Sequence, residues 1–236
     1  MKSIYRYTKI EYLFDLIDNA RLPMVDYSNW EDKNDVYALE KSKNNDETLG
    51  ICCLTYSRKN SIYRWSKMSQ DGVCVRIEFD KGKIERLIKK DKSHYLMKKV
   101  RYFNREILSE MCYKDKRDLA FVKHFSYEEE KEIRIVYRGK KSDKKTKNRA
   151  KSVVEYLKEI PKDSIKGIRF SPYVSKELFD LIQKPLFDRM QRKKWNISKN
   201  AITHSEILDY PKWQKIIDGI LLNAVTKKSI SKNLSK

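Results

Sequence analysis

The chain has 236 residues, 53 of them Lys or Arg against 33 Asp or Glu, and so carries a net charge of +20 with 40% hydrophobic residues. It is long enough to bury a sizeable core, a single α+β domain being the simplest arrangement, and its charge points to a polyanionic partner such as nucleic acid ahead of an anionic membrane surface. No apolar run approaches the ~20 residues of a membrane helix, no leader is read at the N-terminus, and the cysteines lack C-x-x-C spacing, which predicts a cytoplasmic protein with reduced thiols, no membrane partner and no structural metal.

In chain order, Ile4 to Thr8 predict an opening strand. Ile10, Leu13, Phe14, Leu16 and Ile17 recur at helical spacing after it, with Thr8 or a neighbour as the cap. Leu22 to Val25 read as a short extended segment. The polar cluster 28–37, S-N-W-E-D-K-N-D-V-Y, lacks the glycine and distant glutamate of a calcium loop, and reads as a helix-capping loop at the border of a site. Residues 50–57 predict a buried strand with a polar exit. Residues 61–69 predict a short helix that turns Trp65 to the core or a pocket, and 73–79, after the turn pair Asp71-Gly72, form the clearest strand.

A basic helix is expected at 83–90, a strand at 96–103 and helical structure at 106–124. The positive charge lies late: residues 1–80 hold 12 basic and 13 acidic side chains, which leaves +21 on the other 156. Residues 138–151 carry eight basic residues and one acid without an apolar period, and predict a loop. Strands follow at 153–160 and 165–170, then a helix opened by Ser171-Pro172 and running through Ile182, and a last helical stretch at 211–225. The domain is thus expected to cover 1–225, with a flexible basic tail at 226–236.

Between these parts lies F-V-K-H-F-S-Y-E-E-E-K-E-I-R-I-V-Y, residues 121–137. Period-two alternation places Glu130, Glu132 and Arg134 on one face of a strand and Ile133 and Ile135 on the other. Two carboxylates ~7 Å apart on a rigid element suit a base and a substrate clamp. The same pattern also describes a solvated strand face with cross-strand ion pairs.

Tyr5-Arg6-Tyr7, the D-K-N-D of 32–35, C-L-T of 53–55, Trp65 ahead of G-V-C at 72–74, I-E-F-D of 77–80, E-K-E-I-R of 130–134, Ser171-Pro172 and the H-S-E-I…W of 204–213 together resemble the bacterial family catalogued as domain of unknown function 2971. The likeness spans nearly the whole chain. Tyr63 and Tyr127 stand where members of that family often carry Trp.

A looser resemblance is to mono-ADP-ribosyltransferases of the arginine-serine-glutamate type, which place an Arg on the first strand, hydroxyls on a second and an E-x-E on a late strand. It implies NAD as cofactor, with Arg6 on the pyrophosphate, Thr55 and Ser57 on the hydroxyl strand and Trp65 or Tyr7 stacked on nicotinamide. Glu132 would stabilise the oxocarbenium-like charge, Glu130 would position the nucleophile, and Arg134 would support Glu132. Arg6, Trp65 and Glu132 should then meet at one cleft. The function expected is an ADP-ribosyltransferase-like enzyme acting on a macromolecular target, in a toxin or phage-defence context. The alternatives are a nucleic-acid-binding or nuclease-like defence protein whose Glu pair is structural or metal-binding, and a non-catalytic adaptor.

Overall fold

The computed structural model describes residues 2–69, 72–104, 115–140, 153–208 and 217. The chain divides into two compact units, Met1–His204 and Ser205–Lys236, and the sheet belongs to the first. The tail at 226–236, residues 106–114 of the expected helix, 141–151 of the expected basic loop and, but for Ile217, the stretch 211–225 lie outside the described residues.

The expected α+β class is the fold observed. Its strands are β1 (Ser3–Lys9), β2 (Leu22–Val25), β3 (Glu47–Thr55), β4 (Cys74–Asp80), β5 (Tyr95–Lys99), β6 (Arg101–Phe103), β7 (Val122–His124), β8 (Glu132–Lys140), β9 (Val153–Leu157), β10 (Ile165–Phe170) and β11 (Ile202–His204). The helices are α1 (Ile10–Asn19), α2 (Lys33–Ser42), α3 (Ile62–Met68), α4 (Lys81–Lys90) and α5 (Lys176–Arg192), with 3₁₀ segments at Lys116–Phe121 and Phe125–Glu130. Nine strands form one sheet in the order β11-β10-β4-β1-β3-β2-β9, with β8 added to β3 and β5 to β8, while β6 and β7 make a small parallel pair. All pairings in the large sheet are antiparallel except β10 with β11.

Local chemistry accounts for most element ends. Asp32, Asp80 and Ser175 accept backbone N–H groups at the starts of α2, α4 and α5, while α1 begins without a side-chain cap and ends on left-handed Ala20. Helix α5 runs ten residues beyond the expected end at Ile182 and passes through Pro185. A helical proline costs ~3 kcal/mol, which the complete burial of Leu186 and Met190 past it offsets. Arg138 to Lys140, expected in a loop, are the end of β8, because Arg138 is held by the Ser42 carbonyl and Glu47. The expected strand 96–103 breaks at Val100 into β5 and β6.

The two faces of the sheet are covered differently. Ile4, Cys52, Leu54, Ile77, Ile133 and Ile135 meet α1, α4 and α5 in the main core. The opposite face of β3 and β8 packs Leu49, Ile51 and Val136 against Leu39 of α2 and Ala120 and Phe121 of the 3₁₀ segment. Gly50 marks a close approach: a Cβ there would lie 2.7 Å from Met24 Cβ and 3.2 Å from Val154 Cβ. Gly50→Ala should therefore destabilise the fold by about 1–3 kcal/mol, read by thermal melting. An unchanged melting temperature would show that β2 yields at this point. Among the described residues no helix is long and apolar enough to cross a membrane.

Candidate functional site

At the open end of that second face lies a cavity of about 560 Å³, walled by β1 and β3, the start of β8, the loop before α2, helix α3 and the segment around Lys123 and Tyr127. The register decides who faces it. Tyr5 pairs with Thr55 and Thr55 with Glu132, so these three side chains share one face of the sheet and all line the cavity.

Glu132 stands on a buried charge cluster. Arg134, completely buried, donates from Nε to Glu132 Oε1 at 2.8 Å and from Nη2 to Oε2 at 3.2 Å. The same guanidinium holds Asp35 bidentately at 2.8 and 2.6 Å and gives its last N–H to the Ala120 carbonyl at 3.0 Å, so its five donors are all engaged. Lys123 Nζ lies 2.6 Å from Glu130, 3.5 Å from Glu132 and 3.7 Å from Asp35. Lys67 Nζ stands 3.6 Å from Glu130 as well, so three cations face the three carboxylates, and Arg134 and Lys123 are the two that are buried.

The electrostatics follow from this sharing. Burial opposes ionisation of Glu132, but Arg134 and then Lys123 outweigh it and hold the carboxyl below its ordinary range, helped by the Cys53 thiol as a further donor. Burial dominates at Asp35, whose carboxyl is raised despite Arg134. Burial likewise disfavours the charge on Lys123, but Glu132 and Glu130 more than offset it and keep the ammonium protonated. A carboxylate offers about four acceptor positions. Arg134 takes two of those on Glu132 and the Cys53 thiol a third, which leaves about one toward the cavity that Glu132 lines.

Three expectations need correction. Arg6 alternates away from Tyr5 and Tyr7, points into the main core and donates to Cys52 Sγ at 2.7 Å, so it lies on the opposite side of the sheet from Glu132 and does not reach the cavity. Trp65 is fully buried, its indole N–H bonded to Asn60 and its ring edge-on to Tyr7 with centroids 4.7 Å apart, so it backs Tyr7 and lines no part of the cavity. Glu130 does not lie on the strand: it closes a 3₁₀ segment, and Lys131 in left-handed backbone separates it from β8. It returns to the cavity through Lys123 all the same.

The remaining residues have definite places. Thr55 donates to the carbonyls of Glu130 and Lys131 and fastens that turn to β3. Ser57 accepts from Lys59 N–H in the loop leaving β3, outside the cavity. The sequence pattern does not mark Asp35 or Lys123 as site residues. Asp35 pairs with a partner 99 positions away, which only the fold reveals, although the polar cluster 28–37 marked its neighbourhood.

No family model matches this chain, and neither a curated protein nor a solved structure does. The side chains around the cavity therefore carry the functional case.

Proposed function

We propose that this cavity binds NAD and that the chain is an ADP-ribosyltransferase-like enzyme modifying a macromolecular target, in a cytoplasmic toxin or phage-defence setting. The observation that carries the reading is Glu132, a carboxylate held ionised by Arg134 while lining a 560 Å³ cavity, a size ordinary for small-molecule sites. As the bond between ribose C1′ and the nicotinamide nitrogen breaks, its electron pair leaves with nicotinamide and positive charge grows on the sugar. The Glu132 carboxylate, fixed beforehand by Arg134, stabilises that charge. The incoming nucleophile bonds to C1′ and gives up its proton to Glu130, while Lys123 bridges the two carboxylates. Tyr7, backed by Trp65, offers the nicotinamide a firm aromatic surface. Arg6 takes no part. Calorimetric titration with NAD, joined to an assay for released nicotinamide, tests the reading, and a protein that neither binds nor consumes NAD with any target class retires it.

The charge of residues 81–236 favours a second reading, a nucleic-acid-binding or nuclease-like protein in which the Glu pair is structural. The carboxylates are already engaged by Lys123 and Arg134, and a metal there would have to displace those cations. If six phosphates are neutralised, affinity should fall by ~10³ or more between low and moderate salt. A gel shift indifferent to salt dismisses this reading, and a non-catalytic adaptor would show neither behaviour.

A further inference from the structure

Among the described residues, two buried polar atoms without a hydrogen-bond partner, Arg64 Nη1 and Asp32 Oδ2, belong to residues lining this one cavity. Buried polar groups are nearly always satisfied, because an orphan forfeits its hydration and gains nothing for it. One of these orphans is a cationic donor and the other an anionic acceptor. They come from different elements. Arg64, on α3, gives Nη2 to the carbonyls of Glu129 and Glu130 at 2.6 and 2.7 Å, which fixes the guanidinium and leaves Nη1 spare. Asp32 caps α2 through Oδ1, which accepts from Asn34 and Asp35 N–H, and leaves Oδ2 spare.

From these two groups we infer that the cavity is a site for a phosphorylated nucleoside, in which Arg64 takes the phosphate and Asp32 accepts from an amino or hydroxyl group of the same ligand. Lys67, one turn along α3 from Arg64, lines the same cavity but is already paired with Glu130 at 3.6 Å, so Arg64 is the anion contact, and Trp30, Tyr63 and Tyr127 supply aromatic faces for the base. Both spare atoms are shielded in the free protein, so contact with the ligand requires Arg64 and Asp32 to turn toward the cavity that both residues line. The inference deepens the NAD reading and rests on it for the choice of a nucleotide. It places the anion contact on Arg64 and not on Arg6, which lies in the main core.

The test is calorimetry at low salt with ADP-ribose, AMP and adenosine on the full chain, its Arg64→Gln and Asp32→Asn variants, and Arg64→Lys to retain the charge. Wild-type protein should bind ADP-ribose and AMP more tightly than adenosine. Arg64→Gln should weaken the two phosphorylated ligands ten- to hundredfold and leave adenosine unchanged, with Arg64→Lys between. Asp32→Asn should weaken all three about tenfold. Wild-type protein that binds none of them or prefers adenosine, or Arg64→Gln that binds ADP-ribose as wild type does, overturns the inference. Binding in the expected pattern without nicotinamide release from NAD would uphold it and remove the transferase reading. Release by Arg64→Gln at the wild-type rate and KM would do the reverse.

Discussion

Replacing Arg134 by Met is expected to cost about 3–5 kcal/mol of stability, and to lower the melting temperature by ~6–20 °C for a chain of this size. The side chain is completely buried and all five of its donors are engaged, so the variant leaves Asp35 and Glu132 facing each other with Lys123, among the described residues, as the one cation near both. The pH dependence gives the sign. Glu132 has a folded pKa below its unfolded value, so the stability it contributes is present above ordinary carboxylate pH and is lost as pH falls through the depressed folded value. Asp35 is displaced upward, so its ionised form costs stability at neutral pH and acid relieves that cost. Without the guanidinium, burial governs Glu132 as it already governs Asp35. The melting gap between wild type and variant should therefore narrow as pH falls from 7 toward ~4. A variant that melts within a degree or two of wild type at neutral pH would show that the cluster is dispensable.

The second large effect concerns turnover. Glu132→Gln should lower nicotinamide release by ~10²–10³-fold while NAD affinity stays within a few-fold, because the amide keeps the shape of the side chain and loses the charge that acts on the transition state. The amide nitrogen cannot accept from Arg134, so a melting curve is needed to show that the variant is folded at the assay temperature. Glu130→Gln should be milder, since Glu130 stands outside the strand and in the proposed reaction acts on the nucleophile rather than on the sugar. Equal turnover by Glu132→Gln and wild type would remove Glu132 from the chemistry.

Much of this architecture is legible in the sequence, because it follows from short periods and local chemistry. The alternation of Ile133 and Ile135 with Glu132 and Arg134 gives the two faces of β8, and the run at 22–25 gives β2. What the sequence withholds is register. Period two states that Arg6 and Tyr5 point to opposite sides, but only the pairing of Tyr5 with Thr55 says which side holds the cavity. Trp65 shows the same limit: spacing puts it on the inner face of a helix, and whether that face meets a core or a ligand depends on Tyr7, 58 positions earlier. At Glu130 the alternating pattern misleads, because the turn is fastened by Thr55 and Arg64 from elsewhere in the chain and tertiary bonds override the local period.

That left-handed peptide at Lys131 gives the two acids separate mountings. Glu132 is anchored by the strand ladder and by its backbone N–H to Tyr102 Oη, whereas Glu130 hangs from a clip made by Thr55 and Arg64. Helix α3 touches the Glu130 mounting directly through Arg64, and reaches Glu132 only by way of Lys123, which bridges the two carboxylates. Under the proposed reaction, substitutions in α3 would thus act first on Glu130 and the choice of acceptor, and reach bond cleavage at Glu132 only through Lys123.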